Sequence, residues 1–165
     1  MKIPENSLLN NQNFDYADSF EKEFVSRENH INSSELGKLF FSSGSGWIKK
    51  LFSFRNKIVK VFGLKTPEDQ EKKEVKYEPG DQIGLFKVIN KTNNEIIIGE
   101  DDKHLNFQVS LLLDNEDSRN HKRKLTITTI VKYNNWWGKL YFFPVKPFHK
   151  LIVPSMLNGI IKNLQ

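Results

Sequence analysis

The sequence predicts an α+β fold in which an antiparallel sheet is covered by a C-terminal helix. Three observations predict it. Apolar spacing is helical over residues 47–62 and becomes period two after Pro79-Gly80. The strand-like runs that follow are joined by short polar turns, the pattern of a meander. From Pro147 onward the spacing turns helical again, supplying a lid for the sheet's apolar face.

The elements follow in chain order. Residues 1–13 are mainly polar and are expected to be disordered, leaving 14–165 as one domain. Residues 14–25 place Phe14, Tyr16, Phe20 and Phe24 among polar neighbours, a first strand. Ser33-Ser34-Glu35-Leu36 is a helix start, capped by a Ser or by Asn32, and the helix should end near Phe41 before a Ser/Gly run. In the helix at 47–62, Trp47, Leu51, Phe52, Ile58 and Phe62 fall within about half the circumference. The lysines take the other side, and Arg55 alone lands on the apolar face, where a guanidinium needs a partner. Residues 66–78 carry mixed charge and read as a loop or a short solvated helix.

Strands are then expected over residues 83–88, 95–99, 105–113 and 125–133. In the third of these Leu105, Phe107, Val109, Leu111 and Leu113 face one way, and Asn106, Gln108 and Ser110 the other. Asn134-Asn135 should turn the chain into a last aromatic strand over 136–145. Pro147 suits the first position of the closing helix. Its expected sheet-facing stripe is Phe148, Leu151, Ile152, Ser155, Met156, Gly159 and Ile160, with a kink at Pro154. Ser155 and Gly159 would either permit close packing or leave space.

Composition narrows the function classes. The 13 Phe residues imply a wide core or an aromatic-lined cavity. There is no cysteine, hence no disulfide or thiolate chemistry. No apolar run approaches the roughly 20 residues that span a bilayer, and the polar N-terminus lacks a secretory core, so a cytoplasmic protein is expected. The net charge of +5 is uneven, with no acid from Lys139 to the end. Trp136, Trp137, Lys139, Tyr141, Phe143 and Lys146 interleave like a nucleic-acid platform. Two-sided burial is the commoner outcome for such a strand, so no nucleic-acid partner is expected; an exposed aromatic face would permit a homodimer.

Candidate chemistry is sparse. Glu100, Asp102 and His104 share a strand face at i, i+2, i+4, a possible metal set or acid–base pair, against a charged turn with a solvated His. His149 would open the closing helix, near its positive end. His30 and His121 lie in polar loops. No nucleophile elbow, phosphate loop or HExxH is present. No catalytic residue, metal or cofactor is assigned.

The strings DYADSF, GWIKKLFSFRNKIVKVFGLK, GEDDKHLNFQVSLLL and VKYNNWWGKLYFFPVKPFHKLIVPSML, spanning 14–164, resemble a bacterial family of uncharacterised proteins. Its members occur alone or appended to NAD(P)H-binding domains of the short-chain-dehydrogenase type. They are grouped with the START, polyketide-cyclase and Bet v 1-like superfamily. The resemblance implies a helix-grip fold: an antiparallel sheet wrapped around a long C-terminal helix, with two short helices after the first strand and a hydrophobic cavity inside. Asn106 and Gln108 stand where that family carries an Asp and an Arg. No glycine-rich dinucleotide turn follows a strand here.

The expected function is therefore binding of a small hydrophobic molecule between sheet and closing helix. Phe86, Phe107, Leu140, Phe142, Phe148, Ile152 and Met156 would form the walls, with Tyr141, His104 or His149 as polar anchors. Two alternatives stand beside it. One is a cyclase- or dehydratase-like enzyme using His104 or His149 as acid–base. The other is a peripheral membrane binder acting through the basic helix at 47–62.

Overall fold

The computed structural model describes residues 3–26, 31–43, 75–83, 86–114 and 122–165. The helix expected at 47–62, with Arg55, and the loop residues His30 and His121 lie outside them. The strands are β1 (Tyr16–Val25), β2 (Gln82–Ile83), β3 (Phe86–Lys91), β4 (Glu95–Asp101), β5 (Leu105–Leu113) and β6 (Lys122–Tyr133); the helices are α1 (Ser33–Ser42) and α2 (Trp136–Leu164). These six strands of the described residues join one antiparallel sheet in the order β1-β6-β5-β4-β3-β2. The run expected as one strand over 83–88 is instead the small hairpin of β2 and β3.

Register follows burial. β1 lies along β6 from Tyr16↔Val131 to Val25↔Lys122, so the first strand of the chain closes onto the last. Phe20, Ile127, Leu111 and Ile96 therefore stand side by side on one face. A slip of one residue would turn all four to the opposite face, which is why the apolar alternation specifies the pairing. That face packs against both helices. Leu36 and Phe40 of α1 and Val153, Met156 and Ile160 of α2 join Ile98, Val109 and Leu125 in one buried cluster. α1 sits over β4 and β5, and α2 over β1 and β6.

α1 starts as the sequence indicates. Asn32 caps it, accepting the Glu35 N–H at 3.0 Å, which satisfies one of the donors that a helix start leaves open. The opposite face of the sheet is covered by the N-terminal segment. Leu9 is fully buried against Ile97 and Ile130, and Ser7 Oγ donates to Glu95 at 2.6 Å. Leu8 N–H and Ser110 Oγ donate to the same carboxylate. A buried carboxylate requires such donors, and two of the three come from a stretch expected to be disordered on composition.

The largest correction concerns residues 136–145. They are helix, not strand, and α2 runs unbroken from Trp136 to Leu164 through Pro144, Pro147 and Pro154. The buried or partly buried positions Gly138, Phe142, Val145, His149, Val153, Met156, Ile160 and Leu164 recur every three to four residues, a helical period hidden inside the aromatic run. Asn135 is the cap, accepting the Gly138 N–H at 3.2 Å. The prolines deprive the carbonyls of Leu140, Phe143 and Lys150 of their helical partners. All three residues are exposed, where water can substitute. The sheet-facing stripe is rotated accordingly: Phe148 and Leu151 point outward, while Val153, Leu157 and Ile161 are buried. Gly159 resolves as close packing, since a Cβ there would lie 3.1 Å from the carbonyl oxygen of Ser43 at the end of α1.

Candidate functional site

Strand and helix periods together build a polar seam between β1 and α2. Tyr16 and Asp18 are two residues apart on β1 and so share its helix-facing side. His149 lies on the buried side of α2, in mid-helix rather than at a helix start. Its Nδ1 is 2.9 Å from Asp18 Oδ2, and the Tyr16 hydroxyl donates to that same oxygen at 2.6 Å. A carboxylate only accepts, so Nδ1 carries the proton that meets it.

Asp18 is only 3% exposed, yet its Oδ1 has no hydrogen-bond partner. Thr129, directly across from Asp18 on β6, is buried too, and its Oγ1 is likewise unpartnered. Buried polar groups almost always find partners, so two orphans side by side call for a reason. Around them the setting is aromatic. The Phe142 ring packs at a tilt against Tyr16 and Tyr133, with ring centres 4.9 Å and 5.9 Å away, and the Lys146 ammonium sits 4.8 Å from the Tyr16 ring centre. Burial pushes the Tyr16 phenol far above its usual range, and donation to the adjacent Asp18 carboxylate adds to the effect. Tyr16 thus stays a neutral donor.

The remaining expected site residues divide into separate groups. Phe86 and Phe107 meet edge-on at 5.6 Å over the β3–β5 side of the sheet, where Phe41 also packs on Phe86. Met156 is in the main core, with Ile152 against it. Phe142 packs with Leu105 and Val131, and Tyr141 borders that cluster. Leu140 and Phe148 are 47% and 49% exposed and face away from the sheet.

His104 sits in the β4–β5 turn, far along the chain from His149 and in a different role. Its N–H donates to Asp102 Oδ1 at 2.9 Å, and its Nδ1 is 3.1 Å from Asn135 Nδ2. Asn134 and Asn135 bond this turn to the start of α2 through the carbonyls of Asp102 and Lys103. Among the described residues no group of three or more His, Asp or Glu is placed to hold a metal. Asn106 and Gln108 face the opposite side of the sheet. They border a groove of about 370 Å³ that also involves Lys87, Ile89 and Phe107.

Tyr16, Asp18 and Thr129 were not singled out by the sequence. The signal available was the DYADSF string itself, where an acid alternates with Tyr16 and Phe20 on an otherwise apolar strand face.

Among the described residues no helix is long and apolar enough to cross a membrane. A family model described as "Protein of unknown function (DUF2867)" matches residues 11–156, a span that includes Tyr16, Asp18, Thr129 and His149. No curated protein matches the chain.

Proposed function

The chain belongs to the DUF2867 family of proteins of unknown function, and from that premise we propose that it binds a small molecule, apolar in body with a hydrogen-bonding head, between β1 and α2. The order of strand, helix, antiparallel strands and long terminal helix is compatible with a helix-grip fold of the START and Bet v 1 type. That architecture suits a guest held between sheet and helix. One observation carries the reading: Asp18 Oδ1 and Thr129 Oγ1 are neighbouring, buried and unpartnered. A guest with one donor and one acceptor would satisfy both, while Phe142 and Tyr133 flank its apolar part.

The test is a thermal-shift screen of small amphiphilic acids, amides and alcohols, run on wild type and on Asp18→Asn. A ligand at 100 times its Kd should add about 2.7 kcal/mol to wild-type stability. The shift should largely vanish in Asp18→Asn, where a donor amide replaces an acceptor. A ligand that stabilises both proteins equally would exclude the seam as its site.

A second reading, acid–base catalysis at the same place, is favoured by the Asp18–His149 contact. An Asp that fixes Nδ1–H orients the ring and leaves Nε2 to accept or return a proton. Turnover of a bound ligand that is lost in His149→Gln, with binding retained, would establish it.

A further inference from the structure

The half of α2 that runs from Trp136 to Leu151 is apolar on two opposite sides, and the sheet covers only one of them. On the other, Trp136, Leu140, Phe143, Phe148 and Leu151 are all exposed, Phe143 to 78% and Leu151 to 66%. At about 100° per residue these five, with Pro144 and Pro147, span an arc of roughly 140°. Lys139, Lys146 and Lys150 form a row along one border of that arc, each exposed. No Asp or Glu occurs from residue 136 to the end of the chain.

A contiguous exposed apolar stripe on a folded protein marks a docking surface. Its chemistry here selects the occupant. A protein partner's core would tolerate the aromatics but would not call for an unopposed lysine row. An anionic bilayer matches both, because aromatic side chains enter the headgroup–acyl boundary while lysines remain among the headgroup charges. The prolines fix the depth. They free the carbonyls of Leu140, Phe143 and Lys150 on or beside this arc, and free carbonyls belong where water still reaches. We propose that α2, over Trp136–Leu151, seats this protein on anionic membrane surfaces, the outer stripe lying in the headgroup region while the inner side remains on the sheet. This is a different helix from the basic stretch at 47–62 and is independent of the ligand reading above.

Vesicle co-sedimentation tests it, with phosphatidylcholine alone compared to a mixture containing one-third phosphatidylglycerol. Binding is expected to the anionic vesicles at low ionic strength and to decline as salt is added. Phe143→Ser with Leu151→Ser should reduce partitioning at least tenfold. Lys139→Gln and Lys150→Gln should each reduce it about fivefold. Far-UV circular dichroism and the unfolding midpoint confirm that each variant is folded. Equal binding to both vesicle types, or none to either, would overturn the proposal. So would a self-association in sedimentation velocity that the same serine substitutions disperse without any vesicle binding. Shielding of Trp136 from acrylamide in the free protein, read in a Trp47→Phe, Trp137→Phe background, would show the face already covered and count equally against it.

Discussion

Removing His149 should destabilise the protein more than removing Asp18, although both substitutions break the same 2.9 Å contact. The asymmetry lies in what is left behind. In His149→Ala the survivor is a carboxylate 3% exposed, holding only the Tyr16 hydroxyl. Breaking a buried pair so that a charge is stranded costs about 3–5 kcal/mol. In Asp18→Ala the survivors are an imidazole 17% exposed and a phenol at the same seam, both able to turn toward water. That loss is closer to the net value of ordinary hydrogen bonds, about 1–2 kcal/mol. Urea unfolding at pH 7, compared at a common m value, should place the two variants roughly 2 kcal/mol apart. In thermal scans the gap should be several degrees, at about 2–4 °C per kcal/mol for a chain of this size. Replacing both residues with Leu should restore stability to near that of wild type, since removing both partners of a buried hydrogen bond in favour of apolar groups is nearly neutral. If Asp18→Ala proves as damaging as His149→Ala, the stranded-charge reasoning is wrong.

Two further outcomes follow from particular contacts. Gly138→Ala should cost about 3 kcal/mol or more, because the new Cβ would lie 2.0 Å from the His104 carbonyl oxygen and 3.3 Å from Leu105 Cβ. Relief would require loosening the Asn134 and Asn135 bonds to the β4–β5 turn; an unfolding midpoint equal to that of wild type would show that the helix start does not pack there. At alkaline pH, Tyr16 keeps its proton in the folded state while the unfolded chain loses it near pH 10, so the folded state binds more protons. Stability should therefore fall as pH rises above about 10. Tyr133 is shifted the same way by burial, so Tyr16→Phe should lessen the decline without abolishing it. A slope unchanged in Tyr16→Phe, measured by urea unfolding between pH 9 and 11, would contradict the placement of that phenol.

Local patterns made much of the framework legible. The alternation from Leu105 to Leu113 and from Leu125 to Tyr133 specifies both strands and which side chains face the helices, because a pleated strand has an invariant period of two. The run from Asn32 to Glu35 marks the start of α1 because a cap acts on donors within three residues, and of the Ser and Asn candidates the structure uses Asn32. Residues 136–145 depart from the strand that their composition predicts for an identifiable reason. An aromatic, proline-bearing run satisfies strand propensity, and the helical spacing of Gly138, Phe142 and Val145 becomes decisive only once a surface exists to bury them. Asn135, whose residue type suits a turn equally well, is the cap of that helix.

The sequence by itself determined the α+β class, the meander, α1 and the presence of a covering C-terminal helix, all set by neighbours within a few residues. Only the tertiary structure decided where that helix begins, which of its sides meets the sheet, and what the sheet's second face carries. The same is true of the candidate site. Asp18 and His149 are 131 positions apart, and they meet because β1 pairs with β6 beneath α2. No local period encodes that distance; long-range pairing and burial do.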